Sequence, residues 1–283
     1  MDIQSYKRVF LALDMDVAKA VPLVEKIKEH LAGVKIGKEM FTRHGPEIIT
    51  LFRKMGMDVF SDLKYHDIPN TVAKAVAEAV GRNASIINLH CAGGRKMMSA
   101  AVEATETKVT QLSSEFGRDW PRPLIVGVTV LTSLSFDDLY EVGEIGGSLT
   151  DPPDKKAGRV RELVLKRAKL AKECGLNGVV CSPLEAKDIR IACGPDFQII
   201  TPGIRMADAT TADDQKRIAT PGGAIEFADW LVIGRPIYEA ASPKEVLKQI
   251  NEEVKQKLIE TGRFNPEKNQ TGFDAETQKG VTV

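Results

Sequence analysis

The stretch MDVFSDLKYHDIPNTVAKAVAEAVGRN, residues 57–83, contains one whole strand-turn-helix unit. MDVFSDLK (57–64) reads as a buried strand, and NTVAKAVAEAVGRN (70–83) as an Ala-rich helix with Asn70 as its N-cap. The same unit recurs on both sides of this stretch. Upstream, RVFLALD (8–14) and GVKIG (33–37) are strands, followed by helical patterns over 17–31 and over GPEIITLFRKMG (45–56). Downstream, strands are read at SIINLH (85–90), PLIVGVTVL (123–131), GVVCS (178–182), FQIITPG (197–203) and DWLVIGRP (229–236). A helix is expected after Gly93-Gly94 and another over 157–175, while the pattern after the seventh strand is weak. Continuously apolar strands separated by helices indicate a parallel sheet covered on both faces. Eight such units in roughly 240 residues fit one (β/α)8 TIM barrel better than an open doubly wound sheet.

The 283 residues are therefore assigned to one barrel over 1–260 and a polar tail over 261–283, the tail expected to be poorly ordered. Two stretches, 106–123 and 141–156, are read as surface insertions. Basic and acidic residues balance at 39 each, which leaves no broad positive surface for nucleic acid, so any anionic ligand needs a few local cations. No apolar run reaches the roughly 18–20 residues of a membrane span, and the N-terminus lacks the apolar core of a signal peptide, so a cytoplasmic enzyme is expected. No G-x-G-x-x-G follows the first strand, which argues against a dinucleotide cofactor. Cys91, Cys174, Cys181 and Cys193 form no C-x-x-C pair and read as buried free thiols.

Barrels of this kind carry chemistry at the C-terminal ends of their strands. The third strand ends in Asp62 and Lys64, which period-two geometry puts on one face with Phe60. Asp67 follows in the loop, Lys35 lies on the second strand and Asp14 ends the first. Charges at a barrel mouth are costly unless paired, and an alternating lysine–aspartate array is a fixed field able to act on a developing charge. Gly234 and Arg235 follow the eighth strand, a usual phosphate position in this fold. Ser182 is read as a strand-end serine bonding its own backbone, and His66 as a histidine bonding backbone at the start of the helix.

The run SDLKYHDIPNTV (61–72) resembles the D-x-K-x-x-D-I-P-N-T signature of orotidine 5′-phosphate decarboxylases. VKIGKEMFTRHGP (34–46), VTVLTS (128–133), TPGIR (201–205) and VIGRPI (232–237) are similar to further blocks of that family in the same order. The resemblance implies conversion of orotidine monophosphate to UMP and CO2 in de novo pyrimidine biosynthesis, with no metal and no cofactor. It makes Lys64 the proton donor to C6, places Asp62 beside the substrate carboxylate, and has Lys35 orient Asp62 and bond the ribose. Asp67 and Thr71 would reach a partner subunit's site in a homodimer, with Ile68 near the base and Asp14 on a ribose hydroxyl. Thr132 would meet the pyrimidine edge and Arg205 the substrate. Gln215, Gly234 and Arg235 would hold the phosphate under a lid spanning 206–215. A related metal-dependent sugar-phosphate decarboxylase is the main alternative, although its second strand carries a metal-holding glutamate where this chain has Lys35. A non-catalytic phosphate-binding barrel is the other.

Overall fold

The structure, a computed structural model, describes residues 5–205 and 219–265. Eight strands close a barrel in chain order: β1 (Val9–Ala12), β2 (Gly33–Gly37), β3 (Asp58–Tyr65), β4 (Ile86–His90), β5 (Leu124–Val128), β6 (Gly178–Val180), β7 (Gln198–Thr201) and β8 (Trp230–Ile233). Every neighbouring pair is parallel, including β8 with β1. The (β/α)8 expectation holds. Alternate residues of each strand separate two apolar regions, as period two requires. Phe10, Phe60, Ile86, Val126, Val128, Val180, Ile200 and Trp230 fill the interior. Their neighbours Val9, Leu11, Val59, Ile87, Ile125, Val179, Ile199 and Leu231 pack outward against the helices. Gly33 pairs with Phe10, and a Cβ at that position would lie 2.5 Å from the Phe10 ring. The missing side chain on β2 is what lets the ring fill the floor, where it meets Trp230 edge-on at 5.6 Å.

The surrounding helices are α1 (Val17–Ile27), α2 (Lys38–His44), α3 (Glu47–Lys54), α4 (Pro69–Gly81), α5 (Gly94–Phe116), α6 (Phe136–Glu141), α7 (Pro153–Glu173), α8 (Pro183–Cys193), α9 (Pro221–Ile225), α10 (Arg235–Tyr238) and α11 (Pro243–Glu260). Several boundaries differ from the sequence reading. The helix placed at 45–56 is α3 alone, because Gly45, at φ +67°, ends a separate α2 and Pro46 precedes the next turn. Asn70 does not cap α4. Pro69 opens that helix from an extended Ile68, and proline at the first position has no N–H to satisfy. Much of the supposed insertion at 106–123 is the second half of α5, which buries Thr105 and Leu112 and stops at the left-handed Gly117. The stretch 141–156 is chiefly loop, and α7 starts at Pro153 rather than Ala157. Within the tail, Arg263 donates to Asp229 at 2.6 Å and Phe264 packs edge-on against Tyr6, so these two residues pack at the N-terminal end of the barrel. Among the described residues no helix is long and apolar enough to cross a membrane.

Candidate active site

At the C-terminal ends of the strands a cavity of about 260 Å³ opens above the Phe60 layer. Its walls include Asp14, Lys35, Asp62, Lys64, Thr132, Arg205, Gly234 and Arg235. Eight of the twelve site residues expected from the sequence therefore meet in one place. Asp67, Ile68 and Thr71 do not line this cavity and are exposed on the chain that carries them. Gln215 and the expected lid lie outside the described residues.

Lys64 Nζ donates to Asp62 Oδ1 at 2.7 Å, Lys35 Nζ lies 3.8 Å from Asp62 Oδ2, and Lys35 Nζ also donates to Asp14 Oδ1 at 2.8 Å. The charges thus alternate Asp14–Lys35–Asp62–Lys64, and within one chain Asp14 takes the outer place that the sequence reading gave to Asp67. Lys35 and Asp62 are the more buried pair, with side chains 9% and 15% exposed, and each is compensated by opposite charge as burial demands. Four cations, Lys35, Lys64, Arg205 and Arg235, face two carboxylates across the described walls. Among the described wall residues cations therefore outnumber carboxylates, although the whole chain is neutral. Such a site favours an anion.

Simple alternation does not bring Lys64 to this position. β3 leaves register with β4 between Ser61 and Tyr65, and Lys64 sits at φ +55°, a conformation seldom adopted by a residue with a side chain. Asn88 on β4 bridges the gap and was missed in the sequence reading. Its only signal there is a polar residue sharing the inward face of an apolar strand with Ile86. Tyr238, also missed, forms part of the wall, and burial together with nearby Asp14 raises its phenol above the ordinary tyrosine value.

Ser182 bonds nearby backbone, as expected, and does so as the N-cap of α8. Its hydroxyl accepts from Leu184 N at 3.3 Å, and Glu185 accepts from Ser182 N at 3.0 Å. His66 instead lies against the ring of His90, centroids 5.4 Å apart. Burial, reinforced by His66 and Lys64, pushes His90 down to about 4. No disulfide joins the four buried cysteines, as expected, and burial pushes the Cys91 thiol up to about 12, too high for a nucleophile at neutral pH. Among the described residues no three His, Cys, Asp or Glu side chains converge as a metal site.

Residues 7–250 match the model of the orotidine 5′-phosphate decarboxylase / HUMPS family. The chain belongs to this family. Within it, the chain is 43% identical over 256 residues to the orotidine 5′-phosphate decarboxylase of Syntrophomonas wolfei, covering 90% of this chain and 100% of the relative. It is 44% identical to that of Syntrophotalea carbinolica, over 92% of this chain and all of the relative. Among solved structures, the orotidine 5′-phosphate decarboxylase of Lactobacillus acidophilus superposes with a TM-score of 0.70 at 32% identity, over 88% of this chain and 99% of the other.

Proposed function

We propose that the chain decarboxylates orotidine 5′-monophosphate to UMP, with Lys64 supplying the proton that replaces CO2 at C6. The observation that carries this reading is Lys64 at 2.7 Å from Asp62 in a cavity whose described walls alternate lysine and aspartate, within a family that includes such decarboxylases. Loss of CO2 breaks the C6–carboxyl bond and leaves its electron pair on C6, where the ring delocalises it poorly. An ammonium group beside C6 stabilises that pair and then transfers one N–H proton to it, forming the C6–H bond of UMP. Neutral Lys64 regains its proton from water.

Asp62 stands beside the substrate carboxylate, and its repulsion is relieved as neutral CO2 departs. Lys35 holds Asp62 from the far side and, with Asp14, binds ribose hydroxyls. Thr132 meets the pyrimidine edge. Gly234 and Arg235 grip the phosphate, joined by Arg205 and, by the family resemblance, by Gln215. Glycine permits close backbone approach, and a guanidinium binds two oxygens at once. Two chains form a homodimer in which Asp67, Ile68 and Thr71 enter the partner's cavity. The exposure of these three residues on their own chain supports that assignment, Ile68 standing 66% exposed.

The Lys35 ammonium, between Asp14 and Asp62, occupies the place a divalent cation would need, which disfavours the metal-dependent sugar-phosphate reaction. The test is a spectrophotometric assay with orotidine monophosphate in EDTA. UMP formation at the same rate with and without chelator is the expected result. Activity that disappears in EDTA and returns with magnesium would overturn the cofactor-free reading.

A further inference from the structure

Asn88 has no contact with the cavity, yet both ends of its side chain are engaged at the centre of the charged array. Ser61 pairs with Ile87 and Tyr65 with Leu89, so on β3 Asp62, Leu63 and Lys64 stand opposite Asn88 alone. The backbone ladder fails over that bulge, and the amide of Asn88 takes its place. Asn88 Oδ1 accepts from Lys64 N at 2.8 Å, and Asn88 Nδ2 donates to Asp62 Oδ1 at 2.6 Å. An ionised carboxylate only accepts and a backbone N–H only donates, so one orientation of the amide satisfies both. Asn88 is fully buried, so its amide is shielded from solvent.

We infer that Asn88 is a positioning residue for decarboxylation, holding the left-handed backbone of Lys64 and the carboxylate of Asp62 in the one arrangement that puts the ammonium at C6. The inference rests on the decarboxylase reading and adds a residue to it. Positive φ at Lys64 is unfavourable for a residue with a Cβ and persists only where surroundings impose it. Without the amide, the N–H of Lys64 loses its acceptor, the bulge relaxes toward regular β pairing, and the ammonium moves off the reacting carbon. Asp62 loses a donor at the same moment. The groups assigned to ribose and phosphate lie on other strands and keep their places.

Asn88→Ala removes both bonds. Asn88→Asp keeps an acceptor for Lys64 N–H but turns the donor to Asp62 into a second carboxylate. Both variants are expected to lose about 10- to 1000-fold in kcat, the scale of an ångström's misplacement, while KM and the dissociation constant for UMP change less than about threefold. A folded variant that binds UMP normally and keeps kcat within twofold overturns the inference, as does a loss confined to KM. If the parent itself makes no UMP, the decarboxylase reading fails instead, so the two failures are distinguishable. A measurement on the parent covers variants that do not fold. With 15N-lysine labelling, the Lys64 amide should exchange with solvent at least about 100-fold more slowly than an open loop amide, as a buried bonded N–H does. Loop-like exchange at Lys64 overturns the inference without any variant.

Discussion

Lys35, Asp62 and Lys64 were legible in the sequence because a charge on the inward face of a buried strand needs a partner, and few partners were within reach. Their pairing at 2.7 and 3.8 Å follows from that need. Asn88 was not legible, since its importance comes from a register shift that no periodicity of SIINLH announces. Arg235 was read from its place after the last strand, and it lines the cavity beside Gly234. Its assigned role makes a separable prediction. Arg235→Ala should raise KM for orotidine monophosphate about 30-fold, the worth of charge-assisted bonds to a phosphate, and a nucleoside substrate without the phosphate should show no such difference between parent and variant. Steady-state kinetics on both substrates checks this, and an unchanged KM would remove Arg235 from phosphate binding.

At the scale of elements, eight strands were found from apolar runs alone, but helix limits were set by chemistry that such runs do not carry. Proline opened α4 and α7, and left-handed glycines closed α2 and α5. The loop read as an insertion at 141–156 is tied to β5 through α7. Arg167 donates to Thr129 O at 2.8 Å and to Glu144 at 2.9 Å, a link between distant residues that patterning cannot reveal. The end of β4 has a pH dependence of its own. His90, held at about 4 chiefly by burial, stays neutral in the folded chain, whereas an unfolded chain protonates it below about pH 6.5. Folding therefore loses stability as pH falls from 6.5 toward 4, with no contribution above 6.5. Urea unfolding between pH 7.5 and 4.5 should show a shallower acid loss in His90→Gln than in the parent. Equal slopes would place the acid sensitivity elsewhere.

For the whole molecule, the closed parallel barrel was legible because strands buried on both faces leave little else for the chain to form. How two chains meet was suggested only by resemblance, through Asp67, Ile68 and Thr71. Mixing Lys64→Ala with Asp67→Ala protein after dissociation tests the shared site. Random pairing gives half mixed dimers, each with one site free of both changes, so about a quarter of parental activity should return. No recovery would mean that each chain completes its own site. Decarboxylation depends most heavily on the ammonium of Lys64, and Lys64→Ala examines it directly. UMP formation should fall by about 1000-fold or more while UMP still binds. A variant that binds UMP and makes it at close to the parental rate would contradict the account.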